Sequence, residues 1–233
     1  MKVKALFVSD LHLGSKGSND VQFLELLKQY KPDKLFLVGD FIDGWLLRKR
    51  HYWPQTHTNV VQKVLKLSKK GTQVIYITGN HDDFLRSYED LEFGEILIVD
   101  EYKYDDYFVV HGDKYDGVVK LHWLGKLGAS GYEIAIGVDK FLKRLGLKAS
   151  LSSYLKSKVK DAVKFITNFE NELIRQAKIR ECKGVICGHI HKPKDEFFVK
   201  ENIHYLNCGD WIENNSYIIQ KLDGSFELCR YQS

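Results

Sequence analysis

Five short segments gather the side chains that could do chemistry together: Asp10-Leu11-His12, Gly39-Asp40, Gly79-Asn80-His81-Asp82, His111-Gly112-Asp113 and Gly188-His189-Ile190-His191. Taken singly, each reads as a cap, a turn or a hydrogen-bonded histidine. In succession, each after an apolar run, they read as one site. Carboxylate oxygens with imidazole nitrogens form a mixed donor set that suits a divalent transition ion such as Mn2+, Fe2+ or Zn2+. On an extended backbone Asp10 and His12, like His189 and His191, point to one side, so both members of each pair can face a common site. Seven such side chains exceed the needs of one ion. Asp43, Asp82 and Asp113 read as partners that orient metal-bound histidines, or as loop caps. Asp210 follows a strand and could line the site, whereas Trp211 beside it reads as packing. His51, His57, His122 and His204 lack ligand spacing and read as structural, or at most substrate-facing.

The elements that must position these segments alternate. Apolar runs at Lys4–Val8, Leu35–Val38 and Val74–Thr78 are separated by helical patterns at Val21–Gln29 and Asn59–Lys69. That order predicts an α/β sheet with parallel strands. A helix near Asp83–Asp90 follows, then strands at Ile96–Val99, Tyr107–Val110, Val185–Cys187 and Ile203–Leu206. Tyr217–Gln220 and Phe226–Cys229, joined by Lys221-Leu222-Asp223-Gly224, predict a hairpin. In open α/β sheets the ligand site lies beyond the carboxyl ends of the strands, and the polar clusters follow Val8, Val38, Thr78 and Val110.

Between the strand-rich parts the texture changes. Leu155, Val159, Ala162, Ile166, Phe169, Leu173 and Ala177 form one apolar stripe on a helix, and Lys156, Lys160 and Lys164 form a basic ridge opposite it. Lys140–Lys148 is a shorter basic amphipathic piece. The expected organisation is a catalytic domain over 1–113 and 182–233, interrupted by a helical insert over 114–181. That insert holds fourteen Lys/Arg and seven Asp/Glu, a balance of +7 that leaves −3 for the rest of a chain whose net charge is +4. An excess of this kind suits an anionic partner or a solvated helix face. With 233 residues, 44% hydrophobic, 28% charged and only three prolines, disorder, collagen and coiled coil are excluded. The four cysteines have no C-x-x-C spacing and read as reduced core thiols of a cytosolic protein. No run of eighteen apolar residues predicts a membrane span, and the N-terminal apolar strand is too short for a signal sequence.

In order and spacing, the D-x-H, G-D, G-N-H-D, H and G-H-x-H segments resemble the calcineurin-like metallophosphoesterase superfamily across residues 10–191. The resemblance implies a four-layer αββα sandwich of the α/β class, here with a helical insert, around two divalent ions. Manganese is the foremost expectation, with iron, zinc or magnesium as alternatives. It implies Asp10, His12 and His191 on one ion, Asn80, His111 and His189 on the other, Asp40 bridging them and His81 beside them without ligating. Two ions about 3.5–4 Å apart would clamp an in-line displacement and acidify a water between them. His81 would be the catalytic group that donates to a phosphoryl oxygen or protonates the leaving oxygen. The glycines before Asp40, Asn80 and His189 would let the backbone turn sharply.

Ser9–Gly14, Val38–Trp45, Val110–Asp113 and the insert are similar to the UDP-2,3-diacylglucosamine pyrophosphatase family of the lipid A pathway. That likeness implies hydrolysis of a lipid-linked nucleotide to UMP and a lipid phosphate, with peripheral association at the inner membrane. Lys156, Lys160 and Lys164 would meet anionic headgroups, and the stripe would hold acyl chains or dock the insert. The chain departs from that family at His81, where its best-known members carry arginine. A broader phosphodiesterase or phosphomonoesterase with another substrate therefore stays open. A nuclease would track a nucleic-acid backbone along the basic insert, but no aromatic platform accompanies that ridge, so nucleic acid is not the expected partner. Nothing suggests the docking surface of a protein phosphatase, and no ligand is missing as it would be in a non-enzymatic module.

Overall fold

The computed structural model describes residues 1–88, 92–93, 95–116 and 151–232, with the side chains of Phe93 and of 151–159 excepted. The chain runs β1 (Lys2–Val8), α1 (Asp20–Gln29), β2 (Lys31–Val38), α2 (Gly44–Lys49), α3 (Gln55–Ser68), β3 (Gln73–Ile77) and a 3-10 helix (Asp83–Tyr88). It continues through β4 (Glu92–Phe93), β5 (Ile96–Val99), β6 (Glu101–Tyr104), β7 (Tyr107–Val110), a 3-10 turn (Asp113–Tyr115) and α4 (Leu151–Ile179). Five strands close it: β8 (Gly184–Cys187), β9 (Lys194–Phe198), β10 (Ile203–Asn207), β11 (Ser216–Gln220) and β12 (Phe226–Arg230). They form a seven-stranded sheet, β12-β11-β1-β2-β3-β5-β4, and a five-stranded sheet, β6-β7-β8-β10-β9. The pairs β1–β2, β2–β3 and β3–β5 are parallel, as are β7–β8 and β8–β10.

Strand alternation builds the layers. Leu6, Leu35, Leu37, Val74 and Tyr76 face one way and pack with Phe23, Leu26 and Leu27 of α1 and Val60, Val64 and Leu67 of α3. Ala5, Phe7, Phe36, Val38, Ile75 and Ile77 face the other way, into a cluster with Tyr104, Tyr107, Val109, Ile186 and Leu206 of the second sheet. Phe7 stacks on Phe36 at the centre of this interior, with ring centroids 4.5 Å apart. Each fully buried phenylalanine contributes about 1.5–3 kcal/mol from area removed from water. This is the two-sheet α/β sandwich that the sequence resemblance implies.

The chain divides into two compact units, Met1–Asp113 with Leu173–Ser233, and Lys114–Glu172. In the first, Leu173, Ile174 and Ala177 at the end of α4 are buried. Arg180, just beyond, lies 4.2 Å over the Phe108 ring and pairs with Glu101 of β6 at 2.9 Å. In the second, Lys160 and Lys164 are exposed on α4, and the side chain of Lys156 lies outside the described residues, as does the whole of Lys140–Lys148. The short helix α2 and the strands β4, β6 and β9 were not expected from sequence. The helix expected near Asp83–Asp90 is a 3-10 helix over Asp83–Tyr88, with 89–91 outside the described residues. The cysteines are free; Cys182, Cys187 and Cys208 are buried and Cys229 is half-buried, so the last is not a full core thiol. Among the described residues no helix is long and apolar enough to cross a membrane.

Candidate metal centre

The polar segments converge because parallel strands end together. Asp10 and His12 follow β1, Asp40 follows β2, Asn80 and His81 follow β3, His111 follows β7, and His189 and His191 follow β8. Extended alternation does not orient the D-x-H and H-x-H pairs, contrary to expectation. Asp10 (φ 55°), His12 (52°), His189 (68°) and His191 (52°) all turn into the left-handed region, as does Asp40 (51°). Such residues cost of order 1–3 kcal/mol each and persist where the surroundings impose them. Here backbone bonds impose them in part: Asp10 N–H donates to Gly39 O (3.1 Å), His12 N–H to Asp40 O (2.9 Å) and Leu13 N–H to Phe41 O (2.9 Å).

The glycines need a similar correction. Gly39 does turn through a positive φ of 79°. Gly79 and Gly188 instead permit close approach: a Cβ at Gly79 would overlap Asp40 Oδ1, and one at Gly188 would overlap Ser9 Oγ.

Among the described residues, the buried atoms in this space that make no well-formed hydrogen bond include four lone-pair atoms, Asp10 Oδ1, His12 Nε2, Asn80 Oδ1 and His111 Nε2. A buried polar atom left unmade costs about 1–3 kcal/mol, so four together ask for a common partner. All four are lone-pair donors, which fits a divalent cation. Two groupings of donor atoms lie close enough to hold an ion, Asp10–His12–His191 and Asp10–Asp40–His111; a third is His12–Asp43–His81. His191 Nε2 is 3.1 Å from Asp10 Oδ1, and His111 Nε2 is 3.3 Å from Asp40 Oδ2. The ring of His189 lies 5.1 Å from that of His111, and its N–H donates to Asp10 Oδ2 at 3.0 Å.

The other nitrogen of each imidazole is held from behind. His111 Nδ1 lies 2.9 Å from Val38 O, and His12 Nδ1 lies 3.4 Å from Asp43 Oδ2. With Nδ1 as donor, Nε2 is the nitrogen turned inward, the arrangement by which carboxylates and carbonyls orient metal-bound histidines. Asp43 also meets His81 Nδ1 at 3.1 Å and accepts from Leu46 N–H at 2.8 Å, so it orients two histidines and caps α2. The Trp45 ring lies against the His81 ring at 4.4 Å.

Charge follows this geometry. Burial opposes ionisation of Asp10, but the His191 and His111 imidazoles overcome it and hold the carboxyl well below the usual range. At Asp40 burial is likewise outweighed by His111, and the pKa falls to about 2. Burial works against the His12 imidazolium, yet Asp10 and Asp43 push its pKa up to about 10. Buried carboxylates of this density need positive partners, and protons on imidazole and divalent cations are interchangeable in that role.

Asp82 is fully buried and accepts from Phe41 N–H (2.9 Å), Gly79 N–H (2.5 Å) and Tyr76 Oη (2.7 Å), so it staples the Asp40 loop to the Asn80 loop. Asp113 lies in a separate pairing, 2.7 Å from Arg86, whose Nε reaches Asp100 at 3.0 Å. Asp210 caps its own loop by accepting from Ile212 and Glu213 N–H, and Trp211 is fully buried packing. His57 accepts from Gly14 N–H (3.1 Å) and faces Asp20 (3.3 Å), a buried strut under the Asp10–His12 loop. His204 links Tyr107 and Asp195, His51 is exposed, and His122 lies outside the described residues. The sequence reading gave no role to Ser9, whose Oγ sits between Val38 O (2.6 Å) and Asp10 Oδ2 (2.5 Å), or to Asn207, whose Nδ2 donates to Gly188 O (2.9 Å). Their position beside ligand segments was the available signal.

A sequence profile of the calcineurin-like phosphoesterase family matches residues 3–193. Proteins named UDP-2,3-diacylglucosamine hydrolase are similar along nearly the whole chain. That of Porphyromonas gingivalis is 27% identical over 253 residues, and that of Neisseria meningitidis serogroup A is 26% identical over 245, with 94% of both chains covered in each case. Among solved structures, a phosphoesterase from E. coli is similar with a TM-score of 0.46 and 17% identity, covering 98% of this chain and 99% of that one.

Proposed function

Since this chain belongs to the calcineurin-like phosphoesterase family and is a hydrolase of phosphoester bonds, we propose that it holds two divalent ions and cleaves the pyrophosphate of UDP-2,3-diacylglucosamine to UMP and a lipid phosphate. The observation that carries the metal reading is the convergence of Asp10 Oδ1, His12 Nε2, Asn80 Oδ1 and His111 Nε2, buried without a well-formed hydrogen bond. The substrate comes from the names of the relatives that match 94% of the chain. Asp10, His12 and His191 would hold one ion, Asn80, His111 and His189 the other, with Asp40 shared; manganese is the first candidate. Bound there, the ions supply Lewis-acid polarisation of the phosphoryl oxygens and a water acidified toward neutral pH.

The chain's own residues do the rest. Asp43 fixes His81 through Nδ1 and Trp45 limits the swing of the ring, which makes Nε2 the nitrogen that would face the leaving oxygen and, in the imidazolium form, pass it a proton. Lys160 and Lys164, with Lys156, would meet the anionic headgroup region from α4. The reading carries with it a cytoplasmic protein, peripheral at the inner membrane. His81 itself favours a second reading, a phosphodiesterase or phosphomonoesterase of the same family with another substrate.

Incubating the Mn2+-loaded protein with UDP-2,3-diacylglucosamine, bis-p-nitrophenyl phosphate and p-nitrophenyl phosphate separates the two. UMP release that chelation abolishes is the expected result. Hydrolysis of the nitrophenyl esters alone selects the second reading, and hydrolysis of none of the three sinks both.

A further inference from the structure

The insert is not the only basic stretch. From Gly44 to His81 the chain carries Arg48, Lys49, Arg50, Lys63, Lys66, Lys69 and Lys70 and not one Asp or Glu. At the end nearest the candidate metal centre this tract is also aromatic, since Trp45, Tyr52 and Trp53 interleave with Arg48, Lys49 and Arg50. Trp45 and Trp53 are each 40% exposed. Arg48, Lys49 and Arg50 are exposed and meet no carboxylate at ion-pair distance among the described residues. Lys16, from the loop after His12, joins them at 5.7 Å over the Tyr52 ring.

The rim starts at the chemistry and runs outward. Asp43, which caps α2, touches His12 and His81, and Trp45 lies against His81. Helix α2 is about 9 Å long at 1.5 Å per residue. Beyond it Arg50 (φ −146°, ψ 124°) and Pro54 (φ −70°, ψ 162°) are extended, so the rim is longer than one phosphate group requires. Trp53 donates its indole N–H to Thr58 Oγ1 at 3.0 Å, which fixes the ring.

Complementing the helix dipole accounts for Arg48 and Lys49 in the last turn of α2, but not for exposed indoles beside them. A membrane-seated helix turns a broad apolar face outward, and the only large apolar residues of α2 that are exposed are Trp45 and Leu46, two neighbours that make a small patch. Aromatic faces set between unpaired cations are instead the pattern that stacks bases and pairs phosphates. We propose that Lys16 and residues 45–53 form a binding surface for single-stranded nucleic acid, with bases on Trp45 and Trp53 and phosphates on Lys16, Arg48, Lys49 and Arg50.

The test is fluorescence anisotropy of a labelled oligothymidylate with the full chain in EDTA, so that hydrolysis does not intervene. Four phosphate contacts predict a log–log salt slope of about −3, at about −0.7 per contact. The triple variant Arg48→Gln, Lys49→Gln, Arg50→Gln should weaken binding at least about tenfold and flatten the slope to about −1. Trp53→Leu should weaken it about 5- to 100-fold with the slope unchanged, since stacking carries no charge. Circular dichroism confirms that both variants fold. Absence of saturable binding at low salt, variants that bind like wild type, or preferential binding to phosphatidylglycerol vesicles that the oligonucleotide does not compete would each overturn the proposal. So would displacement of the oligonucleotide by UMP at equal phosphate concentration, which would mark a mononucleotide site. Ester hydrolysis without oligonucleotide binding removes this surface and leaves the hydrolase reading standing; the reverse result does the opposite.

Discussion

The two sheets contribute unlike halves to the candidate metal centre. Loops of the seven-stranded sheet bring the carboxylates Asp10 and Asp40, the amide of Asn80 and the histidines His12 and His81, and they are laced to one another by backbone bonds and by the Asp82 carboxylate. Loops of the five-stranded sheet bring imidazoles alone: His111, His189 and His191. They reach the first half through contacts such as His111 Nδ1 on Val38 O and His189 N–H on Asp10 Oδ2. The anionic half is therefore preorganised within one sheet, whereas the imidazole half depends on how the sheets pack. Phe7, Phe36, Val109 and Ile186 in the shared interior keep that register, which makes metal affinity a readout of the sandwich core.

That division can be broken most directly at its shared carboxylate. Asp40→Ala should reduce both bound metal and turnover to background, read by elemental analysis beside an activity assay; full metal content in this variant would mean that the anionic half is not decisive. The next largest effect is expected at His81. Its replacement by alanine should leave metal content intact and lower turnover by about 10²–10⁴-fold, the usual size of an acid–base contribution. The smallest effects sharpen the contrast between orienting groups. Asp43→Asn should weaken metal binding by about 10–100-fold, since the charge behind His12 and His81 is lost. Asn207→Ala, which removes only neutral bonds, chiefly Nδ2 to Gly188 O and Gly209 N–H to Oδ1, should fall at or below the bottom of that range. Equal losses in the two titrations would show that the halves are held alike.

Much of this was legible in residue types. Strand alternation around Leu6, Leu35 and Val74 predicts the first sheet, and the order of polar segments after Val8, Val38, Thr78, Val110 and Cys187 predicts where the site lies. Local geometry was not legible. The candidate ligands point inward because left-handed residues turn them, and nothing in Asp10-Leu11-His12 or His189-Ile190-His191 distinguishes that from an extended run. Helix α2 is six residues long, too short to show a 3.6-residue period, and β9 is an edge strand whose Lys194-Asp195-Glu196 lacks apolar alternation. Dividing the charge at the insert also hid the acid-free tract after Asp43, because the acidic strand-end clusters cancel it in any sum over the remainder of the chain.

The overlap that a side chain at position 188 would have with Ser9 Oγ carries an evolutionary corollary. Those two positions, far apart along the chain, share one volume large enough for a single small group. Glycine at 188 leaves nothing to shrink when position 9 grows, and a side chain at 188 would also overlap Asp10 Oδ2 and Ser9 Cβ, so a relative that enlarges either residue must shift the loop that bears His189 and His191. A lone enlargement at either position should consequently be purged however mild it looks by chemical type.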